Sequence, residues 1–219
     1  MKTTAIIVAA GTGSRFKSTT PKQFLELAGK PVVAHAIDRF QSAASIDSIV
    51  VVLPEDRIAD FHHTADKLFA VVSGGATRAE SVMHGLDAVG GADIVAVHDG
   101  ARPFVSTDDI DRTVAKAKET GAACLVATVT DTIKTVRGGE IADTLDRDQL
   151  RRALTPQVFK KEVLQRAFEL GDFSDAVTDE CYLVEKLGHP IAIVEGSSIN
   201  IKITHPDDLA FAALLAKSK

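Results

Sequence analysis

Short runs of β-branched and small apolar residues alternate with stretches of helical period, and this alternation constrains the fold more than any other feature. Ala5–Val8, Ser48–Leu53, Ala70–Val72, Asp93–Val97 and Ala122–Val129 read as strands apolar on both faces. Between them, residues 31–41 carry Val32, Val33, Ala36, Ile37 and Phe40 as a helical stripe behind a proline in the first turn. Arg57–Phe69 also reads as a helix, and Thr77 with Glu80 is spaced as a capping box opening a third. Ser106–Thr120 follows, capped by Ser106 or Thr107 and stopped at Gly121. Buried strands separated by amphipathic helices predict an α/β fold with a mostly parallel sheet and helices on both faces. In such a sheet ligands gather at the carboxyl ends of the strands. The Gly11, Gly74-Gly75 and Asp99 loops all fall on that edge.

The pattern then changes. Residues 132–136 alternate in a β manner, Arg137-Gly138-Gly139-Glu140 is a turn, and residues 141–145 alternate back. This is a β-hairpin arm, at about 131–147, inserted into an otherwise regular chain. A lone two-stranded hairpin is marginal in water, so it is expected to pack on something, and a second subunit is the expected support. Thr155-Pro156 reads as the start of a helix reaching about Leu170, and Thr178 as the cap of another ending at Leu187. Residues 191–194 and 199–203 read as late strands and residues 206–217 as a closing helix.

At 219 residues the chain suits one domain with one sizeable core. The net charge of −5 argues against a general nucleic-acid or membrane-surface binder, so a polyanionic ligand must meet a local basic cluster or a divalent metal. Cys124 and Cys181 are too few for a disulfide framework and read as core or half-buried thiols in a reducing compartment. The apolar start flows into the first loop without the length of a signal sequence, and no run of apolar residues is long enough to span a membrane. A soluble, cytoplasmic protein is the expectation.

The first strand ends at Ala9-Ala10 and opens into Gly11-Thr12-Gly13, where the backbone is bare and can take positive φ. Arg15 and Lys22 lie within one loop's reach, so unpaired N–H groups and fixed positive charge can act on one anion. No Gly-Lys-Ser/Thr follows, which excludes the lysine-bearing phosphate loop. The dinucleotide fingerprint needs a third glycine where Phe16 stands, which speaks against a nicotinamide enzyme. The loop, with Pro21-Lys22-Gln23 attached, resembles the signature of sugar-phosphate nucleotidyltransferases.

A phosphate attacking the α-phosphorus of a triphosphate gathers several negative charges, and positioned cations and N–H donors do most of the catalytic work. Asp99, just past a buried strand, is the candidate for a hard divalent cation, or else it turns its own loop. Arg102 is placed to grip a phosphate or to pair with Asp99. Lys202 lies on the polar face of Ile199-Asn200-Ile201-Lys202-Ile203-Thr204, while Thr132 and Arg147 mark the ends of the hairpin, where ordinary surface is the plain alternative. His98 reads as structural. His62-His63 imitates a metal motif, but adjacent helical residues point about 100° apart.

Taken in order, Ala9-Ala10-Gly11-x-Gly-x-Arg15, Pro21-Lys22-Gln23, Gly74-Gly75-x-x-Arg78-x-x-Ser81, Val97-His98-Asp99-x-Ala101-Arg102-Pro103, Asp131-Thr132-x-Lys134, Leu154-Thr155-Pro156-Gln157, Thr178-Asp179-Glu180 and Asn200-Ile201-Lys202 resemble the 2-C-methyl-D-erythritol 4-phosphate cytidylyltransferase family over essentially the whole chain. The resemblance implies a Rossmann-like domain with a β-arm, a homodimer, Mg²⁺, and transfer of CMP from CTP to a polyol phosphate in isoprenoid precursor synthesis. It implies that Arg15 and Lys22 bind the triphosphate with Lys202 assisting, and that Asp99 holds Mg²⁺. Ala9, Ala10, Gly11, Gly13, Gly75, Ala76 and Ser81 would surround the nucleotide. Arg102 would lie at the acceptor side, and Thr132 and Arg147 of the arm would grip the acceptor phosphate in the partner's site. Position 76 is often acidic in the family and is Ala here; position 100 is often Ala and is Gly here. A ribitol 5-phosphate cytidylyltransferase would share most of these signatures and differ in its acceptor. A non-catalytic nucleotide-binding module would be expected to lack at least one of Arg15, Lys22, Asp99 and Lys202, and all four are present.

Overall fold

A computed structural model describes residues 1–11, 16, 20–174 and 176–217. Strand β1 (Thr3–Val8) lies inside a seven-stranded sheet. After a short antiparallel pair, β2 (Glu26–Leu27) and β3 (Lys30–Pro31), come helix α1 (Val32–Ser42) and strand β4 (Ser48–Leu53). Helix α2 (Glu55–Ile58), strand β5 (Leu68–Ser73), helix α3 (Arg78–Asp87) and strand β6 (Ile94–Asp99) follow. Helix α4 (Thr107–Thr120) leads to β7 (Ala122–Thr128), then to a hairpin of β8 (Lys134–Arg137) and β9 (Glu140–Thr144). Strand β10 (Arg151–Lys160), helices α5 (Lys161–Phe168) and α6 (Glu180–Lys186), strand β11 (Ala192–Glu195) and helix α7 (Pro206–Lys217) complete the chain.

The sheet order is β11-β7-β10-β6-β1-β4-β5. All its pairings are parallel except those of β10, which runs antiparallel between β6 and β7. The mostly parallel α/β sheet expected from the alternation is therefore present. Successive strand residues point to opposite faces, and β1 shows the consequence. Ile7 packs with Val33, Ile37 and Phe40 of α1 and with Ile110 and Val114 of α4. Ile6 packs on the other face with Val82 and Leu86 of α3, Leu164 of α5 and Leu183 of α6. Two apolar layers on one sheet make the middles of β1, β4 and β6 apolar on both faces.

Four expectations need correction. Residues 57–69 are not a helix: α2 ends at Ile58, and an irregular segment leads to β5. Ile58, Phe61 and Ala65 pack against the core from that segment, so they imitate a helical stripe without the helix. Thr155-Pro156 lies inside β10 and does not start a helix; the register shifts between Ala153 and Gln157, which leaves the proline, with no N–H, outside the regular ladder. The Thr155-Pro156 peptide is cis, and the helix begins at Lys161. Residues 199–203 form no strand: the N–H groups of Asn200 and Ile201 bond to Ser197 O and Ile199 O in tight turns, while Ile203 bonds to Ala101 O. The cap of α6 is Asp179, whose Oδ1 accepts from the Tyr182 N–H, one residue later than expected.

The hairpin is present, turning at Gly138 and Gly139 with φ of 61° and 87°, and it forms its own two-stranded sheet. Val136 and Ile141 on it are 65% and 69% exposed, so the rest of the chain offers the arm little packing. Among the described residues no helix is long and apolar enough to cross a membrane.

Helix α3 meets the sheet at Gly85, where a Cβ would lie 2.5 Å from Ile6 Cγ2 and 3.0 Å from Val52 Cγ2. Both neighbours are fully buried. Gly85→Val should therefore lower stability by ~2–3 kcal/mol through overpacking, read as an earlier midpoint in urea unfolding.

Candidate active site

A cavity of about 320 Å³ opens at the carboxyl ends of β1 and β6 and takes in the start of α3. Its walls include Ala9, Ala10 and Gly11 from the first loop, Lys22 from the following turn, Gly75 to Arg78 and Ser81 from the second loop, and Asp99, Ala101, Lys202 and Thr204. The three polar loops expected on one edge do converge there.

Each wall is built by local bonding. Gln23, 3% exposed, donates from Nε2 to Ala9 O at 2.6 Å and to Gly11 O at 2.8 Å, tying the first loop to the Lys22 turn. A Cβ on Gly74 would lie 2.2 Å from Ala10 Cβ, so only glycine lets the second loop approach the first so closely. The capping box is formed: Glu80 N–H donates to Thr77 Oγ1 at 3.1 Å, and Glu80 Oε2 accepts from the Thr77 and Ala76 N–H groups. Ser81 Oγ accepts from the Gly75 N–H at 3.1 Å and donates to Thr77 O at 2.9 Å. The N–H groups of Gly75 and Ala76 are thus engaged by Ser81 and Glu80.

Asp99 ends β6 at 6% exposure. Arg78 Nε and Nη2 each reach its Oδ1 at 3.4 Å; Arg102 Nε and Lys202 Nζ reach its Oδ2 at 3.2 and 3.0 Å. Burial alone would raise its pKa, but Arg78, Lys202 and Arg102 outweigh burial and hold the carboxyl well below the usual carboxylate range. Of the two readings of Arg102, the pairing with Asp99 is formed, and the guanidinium also donates to Asn200 O at 2.9 Å. Arg78, which spacing alone leaves without a role, makes a second ion pair with the fully buried Glu180 at 2.5 and 3.0 Å. The Asn200 side chain, also fully buried, donates to Thr155 O at 2.8 Å and fixes the segment bearing Lys202. Lys202 and Thr204 of that segment's polar face line the cavity, which is why its alternation imitates a strand.

The other expected residues fall in three groups. Ala9, Ala10, Gly11, Lys22, Gly75, Ala76, Ser81, Asp99 and Lys202 line the cavity, with Arg102 joined to it through Asp99. Thr132 and Arg147 are exposed at the hairpin, where Arg147 Nη1 donates to Thr130 O at 2.9 Å; neither lines the cavity of its own chain. Gly13 and Arg15 lie outside the described residues.

Could these residues hold the expected Mg²⁺? Among the described residues no group of three His, Cys, Asp or Glu side chains is gathered to hold a metal. Asp99 is a single carboxylate whose oxygens already face nitrogen donors. Mg²⁺ in phosphate sites takes one or two carboxylates and fills its shell with phosphate oxygens and water. The donor set therefore fits a Mg²⁺ that arrives with a triphosphate, and does not fit an ion held by the described residues alone.

Backbone loops, one carboxylate and the cations Lys22, Arg78, Arg102 and Lys202 at the carboxyl edge of an α/β sheet are the equipment of a nucleotidyltransferase. Comparison with known proteins agrees. Residues 3–218 match the family model for IspD, 2-C-methyl-D-erythritol 4-phosphate cytidylyltransferase. The enzyme of that name from Bacillus velezensis is 41% identical over 226 residues, covering 100% of this chain and 97% of the relative. The one from Endomicrobium trichonymphae is 42% identical over 220 residues, covering 100% of both. A crystal structure of 2-C-methyl-D-erythritol 4-phosphate cytidylyltransferase from Thermus thermophilus superposes with a TM-score of 0.80 at 35% identity, covering 99% of this chain and 100% of that one. The chain belongs to the 2-C-methyl-D-erythritol 4-phosphate cytidylyltransferase family.

Beneath the site, His98 is fully buried against Phe40, with ring centroids 4.8 Å apart. Its Nε2 faces Arg102 O at 3.0 Å, so Nε2 carries the proton and Nδ1 accepts from the Thr155 hydroxyl at 2.9 Å. Burial lowers its pKa from 6.5 to about 4. The unfolded chain therefore binds a proton here that the folded chain refuses, in the window from 6.5 down to about 4. Stability contributed above that window is lost as pH falls through it, by up to about 3 kcal/mol. Denaturant midpoints measured from pH 7 to 4 should fall, and His98→Gln should flatten that part of the curve.

Proposed function

We propose that this chain transfers CMP from CTP to 2-C-methyl-D-erythritol 4-phosphate, releasing pyrophosphate and forming 4-diphosphocytidyl-2-C-methyl-D-erythritol for isoprenoid precursor synthesis. The observation that carries this reading is the full-length family match joined to a cavity in which Lys22, Asp99 and Lys202 converge. An oxygen of the acceptor phosphate attacks the α-phosphorus of CTP, and the α–β phosphoanhydride bond breaks as the electron pair leaves with pyrophosphate. The acceptor phosphate is already anionic, so no general base is required. Lys22 and Arg15 neutralise the charge that develops on the triphosphate, and Lys202 moves from Asp99 onto the phosphates. Its side chain is 32% exposed, whereas that of Arg102 is 11% exposed and anchored to Asn200 O. Asp99 is the residue to hold Mg²⁺, which would supply charge neutralisation across the phosphates.

Cytosine lies against Ala9, Ala10, Gly75, Ala76 and Ser81, small residues that leave room for a base, and Gly11 and Gly13 are assigned to substrate binding through the first loop. Arg102 stands at the acceptor side. We read residues 1–219 as one domain with an arm at 131–147 that works as a homodimer, the arm carrying Thr132 and Arg147 into the partner's site to grip the acceptor phosphate. The exposed Val136, Ile141 and Leu145 on the arm support such a contact. Two free, buried cysteines are consistent with action in the cytoplasm.

The test is pyrophosphate release with Mg²⁺ across CTP, UTP, ATP and GTP, each offered with 2-C-methyl-D-erythritol 4-phosphate or ribitol 5-phosphate. Release with CTP and the methylerythritol acceptor only is expected. Release with ribitol 5-phosphate would change the assigned acceptor, and silence from folded protein would overturn the catalytic reading.

A further inference from the structure

Glu180 does not line the cavity and has no exposed surface, yet its carboxylate spends both oxygens on one cation of the site. Its position is set from behind. Gln157 Oε1 on β10 accepts from the N–H groups of Glu180 and Cys181, each at 3.0 Å, while Gln157 Nε2 donates to Asp179 Oδ2 at 2.8 Å. The first turn of α6 is thus bolted to the sheet beneath the site. From there Glu180 takes Arg78 Nη1 at 2.5 Å and Nη2 at 3.0 Å, and leaves Asp99 with two longer approaches of 3.4 Å from the same guanidinium. Two carboxylates compete for one Arg78, and Glu180 holds the closer share.

That competition bears on whether Asp99 is available. Three cations face its two oxygens. Lys202, the most exposed of the three, can leave for a phosphate, and its departure leaves Oδ2 facing only Arg102 Nε at 3.2 Å. Oδ1 stays accessible only while Arg78 is kept from closing on it. A guanidinium that lost Glu180 would turn to the buried anion it already approaches, and a planar fork matches a carboxylate bidentately. We propose that Glu180 is a positioning residue: by retaining Arg78 it keeps Asp99 open to the metal that accompanies CTP. This rests on the cytidylyltransferase reading of Asp99.

The experiment is a Mn²⁺ titration of the protein–CTP complex followed by electron paramagnetic resonance, for the native chain, Glu180→Gln, Glu180→Asp and Arg78→Met/Glu180→Gln. Folding is checked by thermal melting, and CTP binding is measured without metal. Glu180→Gln should require about tenfold more Mn²⁺ for half occupancy, the scale of a lost outer-shell partner. CTP binding without metal should be undiminished, and turnover at saturating metal should stay within about threefold of native. Removing Arg78 as well should restore Mn²⁺ affinity, because its guanidinium can no longer close on Asp99. Glu180→Asp, which keeps the charge and moves it back by one carbon, should give an intermediate loss and decides the matter if the glutamine variant does not fold. Unchanged Mn²⁺ affinity in a folded Glu180 variant, or no restoration in the double variant, overturns the proposal. A native complex that takes up no Mn²⁺ with CTP would instead contradict the reading of Asp99 itself, and this inference with it.

Discussion

A carboxylate with almost no solvent needs its charge balanced by the protein, and at Asp99 that balance comes from Arg78, Arg102 and Lys202. Each cation is brought from a different part of the chain: the start of α3, the loop after β6 and the segment before α7. Each has its own anchor or latitude. Glu180 holds Arg78, Asn200 O holds Arg102, and Lys202 is tethered to Asp99. In the proposed account the site is a store of positive charge kept in order by Asp99 and Glu180 until a triphosphate arrives. Such preorganisation suits phosphoryl chemistry, where donors fixed in advance avoid reorganisation during the reaction.

The sheet supplies the framework. Strand β10 enters antiparallel beneath the site, and its irregularity at Thr155-Pro156 is put to use. Thr155 Oγ1 accepts from the Asp99 N–H and donates to His98, while Thr155 O accepts from Asn200. Two residues on, Gln157 sets the turn that carries Glu180. One strand therefore fixes the carboxylate, the segment bearing Lys202 and the partner of Arg78. In the proposed account this is how a cleft open enough for a triphosphate keeps its cations ordered.

Much of this is legible in the sequence where burial dictates residue type. Strand β4 is apolar on both faces, and its pattern marks both of its ends, as does that of α7. The capping box at Thr77 and the stop at Gly121, with φ of 89°, follow from backbone chemistry that few other residues satisfy. Legibility fails where tertiary contact replaces periodicity. Ile58, Phe61 and Ala65 reach the core from an irregular segment, and the alternation at residues 199–203 belongs to a loop whose Lys202 lines the cavity. The convergence of three loops follows from their place after strands. The Arg78–Glu180 pair does not, because it joins residues 102 apart and no local pattern marks a buried ion pair. Arg78 and Glu180 stand in motifs without a chemical role until the geometry supplies one.

The central claim is that Asp99 orders the cations when empty and serves the metal–nucleotide complex when filled. Asp99→Asn tests it most directly, because the amide keeps the shape and removes the charge. The account predicts that a folded Asp99→Asn protein still binds CTP in the absence of metal but releases pyrophosphate ~10³-fold more slowly with Mg²⁺, in line with loss of several kcal/mol of charge stabilisation. Turnover within about threefold of native would contradict it.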